Sequence, residues 1–245
     1  MKQVQFLASL PVKLALSVMT VSAAMPAAAQ SERLPIGQPV AFWIDSTEVT
    51  VGDFARFAQQ NNLQTAAERD GGGYEYRFGW QQREGWNFRS PYGKPAKDQE
   101  PAVHVSWFEA DQYCKSNGGR LPTRDQWAQA AYQETRANPP EPFVTAKSYE
   151  FPTGESSKNA NTVGDGDGWS EHAPVASFPP GVNGLYDMGA NVWEWLADAR
   201  GDDRLTAGGS WWYGPSKMTE RAMQYKPGNF YAVYVGFRCV YDRAN

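Results

Sequence analysis

The chain has 245 residues, 41% hydrophobic and 14% aromatic, with 23 glycines and 17 prolines, enough for one or at most two domains. That aromatic content excludes an intrinsically disordered chain, and so many glycine and proline breaks exclude a helical bundle or coiled coil. A formal net charge of −4 argues against a general nucleic-acid binder, two cysteines leave no CxxC zinc or iron–sulfur centre, and two histidines speak against a multi-histidine iron or copper site.

Residues 1–29 read as an export signal. Lys2 and Lys13 supply the positive start, Leu14 to Met25 the apolar stretch, and Ala27-Ala28-Ala29 an A-x-A cleavage pattern. The alternative is a membrane anchor, but the run is short for a bilayer. The expectation is a secreted or periplasmic protein that is free of the membrane after cleavage. Residues 30–39 are expected to form a linker, and residues 40–243 a single domain. In an oxidising compartment Cys114 and Cys239 are most simply one disulfide, the alternative being two buried free thiols.

Three short helices announce themselves by their caps. Thr50 to Asp53 opens the first, with Phe54, Phe57 and Ala58 on one face. Ser106 and Glu109 form a capping box for the second, whose inner face is Ala110, Tyr113 and Cys114 and which Gly118-Gly119 ends. Thr123 and Gln126 open the third, with Trp127, Ala130 and Ala131 inward. Strands are expected at 42–44, 102–105 and 234–240. His104 then falls in a strand as a core or edge residue, and His172 on an exposed loop. Residues 64–100 and 135–183 lack periodicity, and long irregular segments usually need an ion or a partner to hold them.

Asn161 to Trp169 offers hard oxygen donors between freely turning glycines, as calcium prefers, although such loops are commonly plain solvated turns. It is not an EF-hand, because the closing glutamate is absent. Asp187 to Glu194 is similar, with its two carboxylates seven residues apart.

Several motifs recur in a known order. They are Glu48-Val49-Thr50, Val105-Ser106-Trp107, Gly119-Arg120-Leu121-Pro122-Thr123, Ala173-Pro174-Val175, Asn183 to Met188, Asn191-Val192-Trp193-Glu194-Trp195, Gly208-Gly209-Ser210-Trp211 and Gly236-Phe237-Arg238-Cys239. In this the chain resembles the formylglycine-generating (sulfatase-modifying factor) superfamily over roughly residues 40–241. The resemblance implies an irregular α+β fold with a C-type lectin-like core and little regular secondary structure. It implies a Cys114–Cys239 bridge. It also implies two structural calcium sites. One would use Asn161, the Thr162 carbonyl, Asp167 and the Trp169 carbonyl, and the other Asp187, the Ala190 and Val192 carbonyls and Glu194.

One departure decides the chemistry. Formylglycine-generating enzymes bind copper(I) through two cysteines just after Gly-Gly-Ser, and copper(I) requires soft thiolates. Those positions here are Tyr213 and Met218, so no copper is expected. Sulfoxide synthases of the ergothioneine type use iron on three histidines, which His104 and His172 cannot reproduce. A periplasmic branch in pyoverdine maturation also lacks the copper cysteines, and the variable proteins of diversity-generating retroelements use the fold only to bind ligands.

The family's substrate groove lies around the segment after Gly-Gly-Ser, here Trp211 to Arg221. Trp211, Trp212 and Tyr213 offer large contact faces with polar handles. Met218 is a thioether that suits core packing better than a metal. Glu220 could serve as general acid or base if buried, and Arg221 could hold a carboxylate bidentately. Core tryptophans and a surface Glu220–Arg221 pair are the plain alternative. Two functions follow: a tailoring enzyme on a peptide or peptide-like metabolite, or a non-catalytic lectin-like module for a peptide, glycan or protein.

Overall fold

The computed structural model describes residues 31–164 and 166–244. The segment read as an export signal lies outside them. The three capped helices stand where the sequence places them. Helix α1 (Val51–Gln60) starts at Thr50, whose side chain accepts from the Asp53 N–H. A further short helix, α2 (Ala66–Arg69), carries its own Thr65/Glu68 capping box inside a segment expected to be irregular. In α3 (Trp107–Ser116) the Glu109 carboxylate accepts from Ser106 N at 2.8 Å and reaches across to Ala66 N at 2.6 Å, so one side chain anchors the starts of both α2 and α3. Thr123 and Gln126 box the start of α4 (Arg124–Tyr132).

The sheets depart further from expectation. Strands β1 (Arg33–Ile36) and β2 (Phe42–Asp45) pair antiparallel, and β2 pairs in turn with β9 (Val240–Tyr241). The stretch expected to be a linker therefore contributes a strand, and Ile36 is fully buried. Strands β3 (Gly72–Tyr76) and β4 (Trp80–Glu84) form a hairpin in the other half of the 64–100 segment. A four-stranded sheet runs in the order β7-β6-β5-β8, from β5 (Trp193–Arg200), β6 (Asp203–Ala207), β7 (Gln224–Pro227) and β8 (Val235–Gly236). The expected strand at 234–240 is thus two short ones in different sheets.

Residues 102–105 form no strand. Ala102 N bonds to Val49 O and His104 N to Ala232 O, but His104 adopts φ +56° and breaks the extended run. Its ring is fully buried. Nε2 donates to the Pro91 carbonyl at 3.0 Å, and Nδ1 lies so close to Gly73 that a Cβ there would come within 2.2 Å. Burial holds the imidazole at about 4, well below its usual 6.5. The neutral form is the one folded, so its contribution is full above pH 6.5 and is lost as pH falls toward 4. Over those roughly 2.5 pH units wild type should lose about 3 kcal/mol more than His104→Gln, whose amide can keep the Pro91 bond. Urea melts of both proteins at pH 7 and pH 4 check this.

Two apolar clusters fill the interior. In the first, Phe54 stacks edge-on to Phe88 at 4.9 Å and meets Phe237, which also contacts Tyr113. In the second, Trp127 from α4 lies with Leu196, Leu205 and Val240. A disulfide between Cys114 on α3 and Cys239 (S–S 1.99 Å) ties the first cluster to the β1-β2-β9 sheet, and both residues are fully buried. The architecture is the mixed α+β arrangement expected. Among the described residues no helix is long and apolar enough to cross a membrane.

Candidate functional site

After β6 the chain reverses through Gly208 (φ +95°) and Gly209 (φ +81°). A Cβ on Gly209 would stand 3.1 Å from the Lys217 backbone, so glycine lets the turn fold onto the segment that follows. Trp211, half-buried, packs on Tyr92 and on Trp212, and Trp212 is 38% exposed. Tyr213 turns the other way and wedges between Trp193 (5.8 Å) and Tyr234 (5.9 Å).

The rest of the segment does not join them. Met218 closes a 3₁₀ turn (Pro215–Met218) and is fully buried with Ala160 and Ala190. A Cβ on Gly189 would meet its terminal methyl at 2.6 Å, so Met218 is a core residue and cannot line a groove. Glu220 and Arg221 face a separate, open polar depression of about 620 Å³ beside α4. There Glu220 pairs with Arg124 at 3.1 Å and Arg221 with Glu150 at 3.5 Å, all four side chains being exposed. Glu220 is thus an exposed, salt-bridged side chain.

Tyr213 borders a second cavity, of about 360 Å³. The β3–β4 hairpin gives Tyr74 and Trp80, the 230–234 segment gives Phe230 and Tyr234, and β7 gives Gln224, Tyr225 and Lys226. Lys226 is only 9% exposed, and its ammonium lies 4.5 Å from the Trp193 ring centre. Burial, reinforced by Lys217, pushes it down to about 7. Sequence reasoning missed this lysine, since nothing in Gln-Tyr-Lys-Pro marks it.

His172, expected on an exposed loop, is buried. Nδ1 meets the Tyr92 hydroxyl at 2.9 Å and Nε2 meets Glu100 at 3.1 Å. The hydrogen bond from His172 draws the Glu100 carboxyl below its usual range.

The two oxygen-rich loops differ. In the first, the Asp167 carboxylate accepts from Thr162 N and Trp169 N, both at 2.9 Å, and so curls the loop. Asn161 is buried, and its Nδ2 donates to Glu171 O and to Asn191 Oδ1 (both 3.0 Å), but its Oδ1 has no partner. In the second, Glu194 is committed elsewhere. Its Oε1 accepts from Arg238 Nε and Nη2 (2.9 and 2.7 Å), and its Oε2 from Trp127 Nε1 (2.7 Å) and Arg238 Nε (2.9 Å). Of the expected set Asp187, Ala190, Val192 and Glu194, the glutamate thus has both oxygens hydrogen-bonded within the protein. Beside it lies Glu48, fully buried, with Oε1 accepting from Asn191 Nδ2 and Oε2 unpartnered. Burial and the neighbouring Asp187 drive the Glu48 carboxyl well up, and burial lifts Asp187 to about 6. Among the described residues no group of three or more His, Cys, Asp or Glu side chains is arranged to hold a metal ion.

A family model described as the sulfatase-modifying factor enzyme 1-like domain matches residues 24–243. An inactive C-alpha-formylglycine-generating enzyme 2 from Mus musculus is 31% identical over 210 residues, 69% of this chain and 63% of that protein. A formylglycine-generating enzyme from Mus musculus is 27% identical over 245 residues, 82% and 66% of the two chains. The chain thus spans about two thirds of the length of these relatives. Among solved structures, PvdO from Pseudomonas aeruginosa aligns with a TM-score of 0.63 at 23% identity, covering 82% of this chain and 80% of that one.

Proposed function

Since the chain belongs to the sulfatase-modifying factor enzyme 1-like family, we propose that it is an exported tailoring enzyme for a peptide or peptide-like metabolite, working without copper–thiolate chemistry. The observation that carries this is the fate of sulfur. Both cysteines are joined in a buried disulfide, and the positions after Gly-Gly-Ser that would need thiolates hold Tyr213 and a buried Met218. Export is supported by that disulfide and by the composition of residues 1–29. A peptide-like substrate suits the aromatic walls around Tyr213, which offer contact area and hydroxyl handles.

A second reading, a lectin-like binding module, draws support from Glu220, which is exposed and salt-bridged rather than sequestered. Incubating the purified protein in air with a library of aromatic-rich peptides separates the two. A mass change at sub-stoichiometric enzyme supports tailoring. Quenching of tryptophan fluorescence with no mass change assigns the binding module instead. Stoichiometric copper uptake with oxidation of a sulfatase-derived cysteine peptide overturns the copper-free reading.

The first oxygen-rich loop fits calcium. The unpartnered Asn161 Oδ1, the Asp167 carboxylate and the Thr162 and Trp169 carbonyls would hold it. For the second ion, the unpartnered Glu48 Oε2 beside Asp187 would add an oxygen to the set of Asp187, Ala190, Val192 and Glu194. Bound there, calcium would neutralise and cross-link loops. An ion held at about 100 times its Kd stabilises by about 2.7 kcal/mol. EDTA should therefore lower Tm by about 5–10 °C, and Asn161→Ala should shrink that response. Identical melting curves with and without EDTA would refute the ions.

A further inference from the structure

The cavity beside Tyr213 has a chemical polarity that the reading above does not use. Its walls are rings. Trp80 meets Phe230 edge-on at 4.9 Å and Tyr234 at 5.9 Å, and Tyr213 closes the side against Tyr234. One cationic side chain, Lys226, lies among them, nine-tenths buried.

The charges that face Lys226 have its own sign. Lys217, from the 3₁₀ turn, acts on it from one side. Arg204, its cross-strand partner on β6, stacks its guanidinium over Trp107. The other titratable groups lining the cavity are the phenols of Tyr74, Tyr213, Tyr225 and Tyr234, and no carboxylate lines it. Among the described residues Lys226 makes no ion pair, and its ammonium lies over the face of Trp193. Most of the side chain is buried, and the ammonium opens on the cavity with no counter-ion there. The other buried lysine or arginine among the described residues, Arg238, is answered by Glu194.

We propose that this cavity is the seat of an aromatic carboxylate: the ring lies among Trp80, Tyr213 and Tyr234, and the carboxylate closes an ion pair with Lys226. At about 360 Å³ the space is at the small end of ligand pockets. It suits one aromatic residue rather than a longer segment. For a peptide-like substrate, a terminal aromatic residue with a free carboxylate meets this description. The rest of such a chain would leave past the hairpin tip, where Tyr76 and the fully exposed Phe78 lie. The inference rests on the substrate site being beside Tyr213.

It is tested by calorimetric titration with N-acetyl-L-tyrosine and with its uncharged amide, in phosphate and in Tris at pH 7 to 8. The carboxylate should bind about tenfold more tightly than the amide. Pairing restores the proton that burial has loosened from Lys226, so binding should take up protons, more of them at pH 8 than at pH 7. That uptake appears as a buffer-dependent enthalpy in the wild-type protein alone. Lys226→Met should bring the carboxylate down to the affinity of the amide, leave the amide unchanged and abolish the uptake. Equal affinity for the two probes, or no proton uptake by wild type, overturns the proposal whether or not the variant folds. Turnover of peptides with amidated C-termini would keep the tailoring reading and sink this one. Carboxylate-selective binding with no turnover of any peptide would do the reverse.

Discussion

Arg238→Leu should cost about 3–5 kcal/mol, the usual penalty for stripping one partner from a buried ion pair. Arg238 has no exposed surface, and it spends its donors on Glu194, on the Asp45 carbonyl (3.1 Å) and on the Tyr186 carbonyl (2.9 Å). It therefore joins β5 to the end of β2 and to the loop before the second oxygen-rich segment. Without it Glu194 keeps only the Trp127 N–H, in a region that already holds Glu48 and Asp187. At about 2–4 °C per kcal/mol for a chain of this size, Tm should fall by about 6–20 °C. The double variant Arg238→Leu with Glu194→Leu should regain much of the loss, because an apolar pair of similar volume removes the orphaned charge. If thermal denaturation shows the double variant no better than the single, the cost lies in the carbonyl contacts and not in the ion pair.

The second large effect belongs to the Cys114–Cys239 bridge. It closes a loop with a sequence separation of 125, for which loop entropy gives about 5 kcal/mol. Replacing both cysteines by alanine should remove about that much, read as a lower urea midpoint with a steeper slope, since the unbridged unfolded chain exposes more surface. Both residues are fully buried, so dithiothreitol should leave the folded protein intact at room temperature and reduce it only where urea or heat opens the core. Intact mass would then rise by two protons in step with unfolding. Reduction of the folded protein at a rate independent of urea would contradict the buried placement.

The helices were legible because a cap is a local event. Thr50, Ser106 and Thr123 each find their partner three residues on, and sequence shows that spacing directly. Strand β5 was not legible as a strand because its first half is buried on both faces. Trp193 to Leu196 show no alternation to read. The run from Ala102 to Val105 looked like a strand for its apolar content, yet the left-handed His104 ends it, packed against Gly73, which is distant in sequence. The motif order exposed the family, and the missing thiolates were plain from counting. What counting could not show is that one eleven-residue segment serves four surroundings: Trp211 against Tyr92, Tyr213 in the aromatic cavity, Met218 in the core with Ala160 and Ala190, and Glu220 in an open depression. Lys226 was invisible for the same reason. Its burial comes from Trp193, from the hairpin at 72–84 and from the 230–234 segment, so its chemistry is a property of the assembled sheet.

The short strand Val240–Tyr241 has a consequence for how the protein is born. β2 gains its second neighbour only when those two residues arrive, Asp45 receives the Cys239 N–H at 3.0 Å, and Arg120 and Val240 exchange backbone bonds. On a ribosome these pairings must wait until the whole preceding length has been synthesised, so the nascent polypeptide can dock its early strands only loosely before then. Contacts so distant in sequence also slow closure, so the last step of folding joins the two ends of the domain.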